Sequence, residues 1–520
     1  MAYMLQALAR QRPLEPALVD ELGAVGWADL DARVNRLIRA LRAAGLLPGD
    51  RIVLFAGNGR ALFEVMAAAH HAGITYVPVN WHFTADELAY VLADAGARAL
   101  FTDTRCAAVA AAALALAPQS ADRLRTCLDG AAPGLTPLQA LVDAETDASD
   151  PPDQAVGGPM FYTSGTTGRP KGVLRRAPGG PPALDTLRSF ADGLVQMLQL
   201  PLPGTTLLCG PAYHSAQWSF AFAPMLAGST VVMTHRFDAA QTLALIDAHR
   251  VTNAHLVPTQ MLRLLRLPDD VRRAFRGASL QRVWHGAAPC PPDVKRAMID
   301  WWGPCIHEYY GSTEGAVVTG IGSSEWLARP GSVGRPIGRV DVQVLRDDGS
   351  LAAPGEPGTI GLRNRNPVTL AYHNDPAKTA AAQLAPGLFT TGDVGYLDAD
   401  GYLYLTDRKI DMIISGGVNI YPAEIEGVLA AHPAVQDVAV FGVPDAEFGE
   451  SVMALVQVVP GQVADDALVQ VLQDHCRQRL AGYKRPRQMA FHEGLPRTES
   501  GKLRKRLLRD AYWKDSGRLI

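Results

Sequence analysis

The chain has 520 residues, of which 48% are hydrophobic and 19% are charged, and its formal net charge at pH 7 is −3. This composition predicts two to four structural units with large apolar cores and excludes a largely disordered chain. The slightly negative charge argues against a nucleic-acid protein held by a general positive field.

The six cysteines and the apolar runs limit the class of protein further. No two cysteines form a CxxC pair, so they read as ordinary thiols rather than a disulfide or zinc framework. The N-terminus lacks a basic segment followed by an apolar one, which argues against a secretory signal. The longest apolar run, 106–117, is shorter than the roughly 20 residues of a membrane-spanning helix. We therefore expect a cytoplasmic protein without a transmembrane segment.

The first part of the chain alternates short apolar β-rich runs with amphipathic helical stretches. This alternation predicts parallel sheets covered by helices, and the continuous apolar character of the runs predicts sheets buried on both faces. The predicted strands lie at 51–57, 74–80, 98–104, 229–235, 253–259 and 282–288, and helices are predicted at 84–96 and 238–250.

The sequence pattern changes after about Gly334. Strands become short and turn-rich, which predicts a small antiparallel sheet or barrel. A compact α+β unit follows from Ile410, with a helix after Pro422, strands near 436–442 and 452–459, and a helix near 466–480. Two stretches, 129–159 and 177–183, read as loops. The predicted fold is α/β: a large domain, 1–409, of doubly wound sheets with a small β-barrel-like subdomain, then a small α+β domain, 410–520.

The stretch FYTSGTTGRPKGV, residues 161–173, combines glycines, hydroxyl side chains and a lysine. It differs from a Walker A loop, because Lys171 stands between Pro170 and Gly172. Backbone N–H groups of a Gly-rich turn nevertheless form an anion-binding concavity, and Lys171 adds positive charge. From the residues alone, the stretch is either a plain loop or a polyphosphate-binding device.

Further strings follow this one in a fixed order along the chain. They are PAYHS (211–215), HGAAP (285–289), YYGSTEG (309–315), TGD (391–393), DRKIDMIISGGVNIYPAEIE (407–426) and PRTESGK (496–502). Together with SGTTGRPKG they resemble the ordered motifs of the adenylate-forming superfamily, which includes acyl- and aryl-CoA synthetases. The resemblance covers nearly the whole chain.

This resemblance implies an AMP-forming acid–thiol ligase. Such an enzyme joins a carboxylate to the α-phosphate of ATP, releases pyrophosphate, and passes the acyl group to coenzyme A. Because the first step brings two anions together, aimed positive charge and hydrogen-bond donors should carry the catalysis. The implied cofactors are ATP, Mg²⁺ and coenzyme A, with Glu314 as the Mg²⁺ ligand.

The resemblance also assigns roles to individual residues. The implied catalytic residues are Lys502, Glu314, Thr313, Lys171 and His214. The implied ATP- and AMP-binding residues are Thr163, Ser164, Gly165, Thr166, Thr167, Gly168, Gly286, Ala287, Ala288, Pro289, Glu308, Tyr309, Tyr310, Gly311, Ser312, Asp393 and Arg408. A hinge at Lys409 and Ile410 would let the C-terminal domain move as a lid, and the coenzyme A turn would be Ser415, Gly416 and Gly417. The family usually has a polar residue where this chain has Ile410.

Each of these residues also has a plainer interpretation from its type alone. Glu314 could be a solvated turn residue, Asp393 a turn or helix cap, and Lys502 one more solvated lysine. His214 has no acid partner nearby in sequence and could be a core histidine. The motif context, rather than composition, favours the functional roles.

The implied acid pocket is apolar and aromatic, which predicts a bulky hydrophobic acid: fatty, arylpropenoic or similar. Its lining residues would be Tyr213, Trp218, Phe222, Trp284 and Val317, with Phe220 and Val318 nearby. Two alternatives stay open: a ligase that loads a separate carrier protein, and a non-catalytic acyl- or nucleotide-binding protein of the same fold. A homodimer is an alternative to a monomer.

Overall fold

The computed structural model describes residues 4–163, 170–176, 183–365, 369–408, 411–415, 418–445, 447–498, 501 and 503–514. The chain forms two compact units. The first contains residues 1–256, 266–284 and 366–381, and the second contains residues 257–265, 285–365 and 382–520. None of the described helices is long and apolar enough to span a membrane.

The elements up to residue 256 alternate between strands and helices, as the sequence predicts. In chain order they are α1 Gln6–Gln11, β1 Pro16–Asp20, β2 Gly23–Gly26, α2 Trp27–Ala43, β3 Arg51–Phe55, α3 Arg60–His71, β4 Thr75–Pro78, α4 Ala85–Asp94, β5 Ala99–Thr102, α5 Ala107–Leu116, β6 Leu124–Cys127, β7 Thr136–Pro137, α6 Leu138–Ala144, β8 Gly158–Pro159, β9 Phe161–Thr163, β10 Lys171–Arg176, α7 Asp185–Met197, β11 Thr205–Leu208, α8 Ser215–Gln217, a π-helical turn Trp218–Phe222, α9 Ala223–Leu226, β12 Thr230–Met233, α10 Ala239–Ala248 and β13 Asn253–Leu256.

Strands dominate the rest of the chain. The elements are α11 Pro258–Leu265, α12 Asp269–Ala274, β14 Arg282–His285, α13 Pro292–Trp302, β15 Ile306–Ser312, β16 Ala316–Gly322, α14 Ser323–Ala328, β17 Ser332–Pro336, β18 Val340–Leu345, β19 Gly358–Asn364, β20 Thr369–Tyr372, α15 Pro376–Ala381, β21 Gln383–Ala385, β22 Leu388–Phe389, β23 Asp393–Leu397, β24 Leu403–Arg408, β25 Ile413–Ser415, β26 Val418–Ile420, α16 Pro422–Ala430, β27 Val435–Asp445, β28 Gly449–Val458, α17 Asp466–Arg479, a 3₁₀ turn Gly482–Lys484, β29 Gln488–Phe491 and α18 Lys505–Trp513.

A six-stranded parallel sheet in the first unit shows why its strands are continuously apolar. Its order is β7-β6-β5-β3-β4-β8, and every pairing is parallel. Successive residues of β3 enter different cores: Ile52 and Leu54 pack in one cluster, while Val53 and Phe55 pack in the other. Both faces of the sheet are therefore buried, as the sequence predicts.

A second parallel arrangement in the same unit pairs β1 with β12, β12 with β11, and β11 with β13. In register, Thr206 of β11 faces Val231 of β12 and Asn253 of β13. The carboxyl ends of parallel strands meet at one edge of a sheet, which is where ligands bind in open α/β sheets. The segment that follows β11, which carries the PAYHS motif, therefore starts at this edge of the sheet.

Antiparallel pairing predominates in the second unit. Strands β15 to β19 and β21 to β24 pair antiparallel, as predicted for the turn-rich region. Toward the C-terminus, β27 and β28 form a long antiparallel pair that is covered on both sides. Val440 lies in one apolar cluster with residues of α16 and α17, and Phe441 lies in the other with Leu508 of α18.

One prediction about local structure is wrong. The stretch 129–159, predicted as a loop, contains β7, the helix α6 and β8. Its proline, glycine and aspartate content suggested an irregular segment, but Leu138 and Val142 stand one helical turn apart and both are buried. The other predicted loop, 177–183, lies almost entirely outside the described residues.

Candidate active site

An aromatic cluster in the first unit contains two of the predicted acid-pocket residues. The indole Nε1 of Trp218 donates a hydrogen bond to the hydroxyl of Tyr76 at 2.6 Å, and the ring of Phe222 lies 6.0 Å from that of Trp218. Because an indole N–H only donates, the Tyr76 hydroxyl keeps its own proton for Nδ1 of His70, 3.3 Å away. Burial lowers the pKa of His70 to about 3, so its imidazole is neutral and Nδ1 can accept.

The segment after β11 carries the predicted Tyr213 and His214. Nδ1 of His214 accepts from the backbone N–H of Ala216 at 3.4 Å and so caps the short helix α8. This contact gives His214 a local structural role in addition to the one implied by its motif. Tyr213 is half-buried beside it.

A second buried group joins β13 to the π-helical turn. The ring of Phe220 stacks on His255 with centroids 4.7 Å apart, and the amide of Gln217 donates to Nδ1 of His255 at 2.9 Å. Burial lowers the pKa of His255 to about 3, so its imidazole is neutral at pH 7. The predicted Trp284 is also buried, 6.2 Å from Phe220, and its Nε1 donates to the carbonyl of Leu198 at 3.0 Å.

The strands that flank the predicted phosphate segment form an antiparallel hairpin. Lys171 of β10 pairs with Thr163 of β9. Nζ of Lys171 lies 2.9 Å from Oδ2 of Asp375, and this contact raises the pKa of the lysine. The predicted residues Ser164, Gly165, Thr166, Thr167 and Gly168 lie outside the described residues. The structure therefore shows how Lys171 is held, and Asp375 is a partner that sequence analysis missed.

The YYGSTEG motif forms the turn between β15 and β16 in the second unit. A Cβ at Gly311 would collide with the carbonyl oxygen of Ala316, so only glycine fits this position in the hairpin. The backbone N–H of Gly315 donates to Oγ of Ser312 at 2.9 Å and closes the turn. Thr313 and Glu314 stand in this turn, both half-buried.

Two motifs more than 80 residues apart meet at Asp393. The hydroxyl of Tyr310 donates to Oδ2 of Asp393 at 2.7 Å, and Oγ1 of Thr391 donates to the same oxygen at 2.7 Å. Asp393 begins β23 and pairs with Arg408 of β24. The YYGSTEG and TGD motifs thus form one polar group, while the side chain of Arg408 lies outside the described part of the chain.

The HGAAP motif packs directly on β15. A Cβ at Gly286 would lie 2.6 Å from Cε1 of Tyr309 and 2.8 Å from its carbonyl oxygen, so the backbone approaches Tyr309 as only glycine allows. Ala287 follows with φ 67°, a left-handed conformation that is rare for alanine and is often found at functional sites. Ala288 is half-buried, and Pro289 is exposed.

The motifs of the C-terminal part are described only in part. Ser415 ends β25 and pairs with Val418, whereas Lys409, Ile410, Gly416, Gly417 and Lys502 lie outside the described residues. The predicted Val317 and Val318 are buried on β16.

Arg497 and Gly501, which precede Lys502 in the PRTESGK motif, make defined contacts. Nε and Nη2 of Arg497 each lie 2.6 Å from the carboxylate of Asp437, and Nη1 donates to the carbonyl of Gly501 at 2.6 Å. A Cβ at Gly501 would lie 2.5 Å from Oγ1 of Thr259, so this backbone lies against the start of α11. The lysine motif is therefore tied to β27 and to the segment that follows β13.

Comparison with known proteins agrees with this arrangement. The AMP-binding enzyme family matches residues 5–373, and the AMP-binding enzyme C-terminal domain matches residues 424–502. The chain belongs to the AMP-binding enzyme family. The predicted superfamily, the acid–thiol ligase class and the α/β fold, with a large N-terminal and a smaller C-terminal domain, are all confirmed.

Three similar proteins illustrate the family. A feruloyl-CoA synthase of Amycolatopsis sp is 36% identical over 509 residues, covering 96% of this chain and 96% of that protein. A fatty acid–[acyl-carrier-protein] ligase of Streptomyces coeruleorubidus is 32% identical over 519 residues, covering 98% and 96%. The structure of o-succinylbenzoate CoA synthetase from Bacillus subtilis, in complex with an acyl-adenylate intermediate, is similar with a TM-score of 0.80 and 27% identity, covering 98% of both chains.

The ligase reaction class follows from these findings. The chain is an ATP-dependent acid–thiol ligase that activates a carboxylic acid as an acyl-adenylate, as predicted. Sequence analysis missed four residues that hold predicted site residues or motifs, namely Tyr76, His70, Asp375 and Asp437, and it gave no role to Arg497 of the PRTESGK motif. Only Asp375 left a local signal, because an Asp-Pro pair before a helical stretch is typical of a helix start, and Oδ1 of Asp375 does accept from the N–H of Lys378 at 2.9 Å.

Proposed function

We propose that the acid is an aryl or arylpropenoic acid, and that Trp218 provides the aromatic surface on which it is selected. The observation that carries this proposal is the hydrogen bond from Trp218 to Tyr76, which fixes the plane of the indole inside a cluster of rings. Phe190 of α7 lies 5.8 Å from the same indole and is half exposed, so the cluster reaches the surface of its unit. Fixed aromatic faces favour planar aromatic partners in offset or edge-to-face packing. The similarity to a feruloyl-CoA synthase supports this choice.

A second candidate is a fatty acid that is passed to a carrier protein. It is supported by the similarity to the fatty acid–[acyl-carrier-protein] ligase. Coenzyme A is the acceptor we favour, and Ser415, Gly416 and Gly417 would form the turn along which its thiol approaches.

The nucleotide would be held by groups that the fold already orients. Thr163, Lys171 and the segment 164–168 would bind the β- and γ-phosphates, and Asp393 would accept from the ribose hydroxyls beside Arg408. Asp393 suits this role because Tyr310 and Thr391 fix the orientation of its carboxylate. The adenine would lie against Tyr310 and against the wall formed by Tyr309 and residues 286–289. Positioning of this kind supplies much of the rate of phosphoryl and adenylyl transfer.

Glu314 fits a Mg²⁺ site by the chemistry of its donor. It offers a single carboxylate in a turn that Ser312 and Gly315 close, and Mg²⁺ in nucleotide sites takes one or two carboxylates with phosphate oxygens and water. When bound there, the ion would neutralise phosphate oxygens of ATP. Thr313, in the same turn, would donate to the α-phosphate.

Lys502 would act in adenylation, at the point where the acid carboxylate meets the α-phosphate. We propose that residues 410–520 move as a lid about Lys409 and Ile410, so that Lys502 serves the first half-reaction and the glycine turn the second. His214 would then shape the access of the acid and the thiol.

An acid panel tests these assignments. Cinnamic, 4-hydroxy-3-methoxycinnamic, benzoic, octanoic and hexadecanoic acids are each supplied with ATP and Mg²⁺, with and without coenzyme A or a purified acyl carrier protein. We expect pyrophosphate and AMP as products, the highest kcat/KM with the arylpropenoic acids, thioester on coenzyme A, and loss of activity on chelation of Mg²⁺. ADP and phosphate as products would refute adenylation, and a preference for hexadecanoic acid on the carrier protein would favour the second candidate.

A further inference from the structure

A buried ion pair lies next to the two motif segments assigned to the adenine. Nζ of Lys295, on α13, donates to Oε2 of Glu308, on β15, at 2.6 Å. The side chain of Lys295 is 0% exposed, and its Nζ also lies 4.6 Å from the ring centroid of Trp326. Removing two charges from water costs several kcal/mol per ion, and pairing only partly offsets this penalty. Two apolar residues of similar size would pack here equally well, so packing alone does not explain why the chain has an ion pair at this position.

The position of Glu308 suggests that role. It directly precedes Tyr309 and Tyr310, and its Oε2 lies 3.8 Å from Nε2 of His285, which directly precedes Gly286. Since Gly286 packs on Tyr309, the carboxylate stands where the two segments join. The Glu308 side chain is 8% exposed, whereas those of Lys295 and His285 are 0% exposed. Glu308 is thus the least buried of these three side chains.

We propose that Lys295 is a positioning residue of the nucleotide site, which keeps Glu308 ionised and aimed so that its carboxylate accepts a hydrogen bond from the exocyclic amino group of adenine. This inference rests on the proposed function. An ionised carboxylate is an acceptor only, so it favours a purine with an amino donor at position 6 over one with a carbonyl acceptor there. Lys295 would therefore set the preference for ATP over 6-oxopurine nucleotides without touching the nucleotide.

The charges around Glu308 explain why the lysine is needed. Burial raises the pKa of Glu308 and lowers that of Lys295, and the pairing of the two charges opposes both shifts. The other titratable groups that face it are His285, from β14, and Cys290, whose pKa is raised by its own burial and then by Glu308. Without Lys295, burial would act unopposed by a full positive charge, so the pKa of Glu308 would rise further and its protonated form would be favoured. A protonated Glu308 loses its preference for an amino donor.

The test compares ATP with inosine triphosphate in the pyrophosphate-release assay across pH 6–9. In Lys295→Met, we expect kcat/KM for ATP to fall roughly 10- to 100-fold, as for loss of a hydrogen bond to a charged group, with a much smaller change for inosine triphosphate. The activity of this variant with ATP should rise with pH as Glu308 ionises, whereas the parent shows no such step. Lys295→Arg, which keeps the charge, should retain most of the discrimination.

A matched control separates positioning from stability. In the first unit, Glu64 is 1% exposed and accepts from Nε and Nη2 of Arg33, both at 2.9 Å. Arg33→Met should lower the melting temperature and leave the ratio of ATP to inosine triphosphate use unchanged. Equal losses with both nucleotides in Lys295→Met, or no rise with pH, would overturn the proposal and leave a structural pair.

A further variant keeps the proposal testable if Lys295→Met does not fold. Glu308→Gln should show a reduced preference for ATP that does not vary with pH, because an amide both donates and accepts and does not titrate. An unchanged preference in Glu308→Gln would also overturn the proposal. Failure of the proposed function would look different, since the parent itself would then release no pyrophosphate from ATP.

Discussion

Arg497 should matter to adenylation more than to thioester formation. Its guanidinium makes two 2.6 Å contacts with Asp437 and a third hydrogen bond of 2.6 Å to the carbonyl of Gly501, next to Lys502. A hydrogen bond to a charged group contributes about 1.5–3 kcal/mol, and each 1.4 kcal/mol is about a factor of ten. If that free energy holds the lysine motif in place, Arg497→Met should slow acyl-adenylate formation roughly 10- to 100-fold.

The two half-reactions are assayed separately, with acid plus ATP and with synthetic acyl-adenylate plus coenzyme A. Lys502→Ala sets the upper limit, with an expected loss of roughly 10²–10³ in the first half-reaction, by analogy with removing one preorganised donor. Asp437→Asn should lose less than Arg497→Met, because it leaves the hydrogen bond from Arg497 to Gly501 in place. The second half-reaction should change little in all three variants.

The control for this series is Glu356→Gln, which removes an exposed bidentate salt bridge with Arg346. Exposed pairs contribute little, so neither half-reaction should change. Equal losses of both half-reactions in Arg497→Met would refute the reasoning, since the arginine would then act on the stability of the whole domain.

Three further predictions follow from other contacts. Gly286→Ala should raise the KM for ATP severalfold and leave the KM for the acid unchanged in steady-state assays, because the new Cβ would lie 2.6 Å from Tyr309 and displace the adenine wall; an unchanged KM for ATP would contradict this. Tyr76→Phe leaves Nε1 of Trp218 buried without its acceptor, so it should cost about 1–3 kcal/mol of unfolding free energy in denaturant titrations and raise the KM for aryl acids but not for ATP. Burial lowers the pKa values of His70, His71 and His255 to about 3, 4 and 3. Between pH 7 and pH 5 the unfolded chain therefore takes up protons that the folded chain does not, and each histidine should lower the unfolding free energy by about 2 kcal/mol over this range. In denaturant titrations at both pH values, His255→Gln should remove the share of this loss that His255 contributes.

The parallel sheet was predictable because its signal is local. In β3 and β5, a run of apolar residues indicates that both faces of the sheet are buried. The start of α4 is marked in the sequence by Thr84 and Glu87, which form a capping box. The hairpin of β1 and β2 left no such signal. β1 joins the sheet by pairing with β12, more than 200 residues away, and no local pattern encodes that partner.

The residues of the candidate site also divide into those that the sequence predicts and those that only the structure reveals. Asp393, Lys171 and Glu314 stand in strings specific enough to be found by resemblance. Lys295 and Tyr76 are not in such strings. Lys295 occupies a helix beside Met298 and Ile299, where its type suggests a solvated side chain, and only the fold shows that it points inward with them.

Three groups in the motifs that the resemblance identifies are each held by a second side chain. Asp393 is held by Tyr310, Lys171 by Asp375, and the carbonyl before Lys502 by Arg497. A charged group that must meet ATP gains from being fixed beforehand, because the entropy of ordering it is then lost in folding rather than in binding. Lys171 adds a condition to this rule: its partner Asp375 is itself an anion, so a phosphate must compete with a carboxylate 2.9 Å away. Asp375 therefore orients Lys171 but weakens its attraction for the phosphates of ATP. Such an arrangement suits a site in which the rate depends more on the geometry of the reacting groups than on tight binding of the substrate.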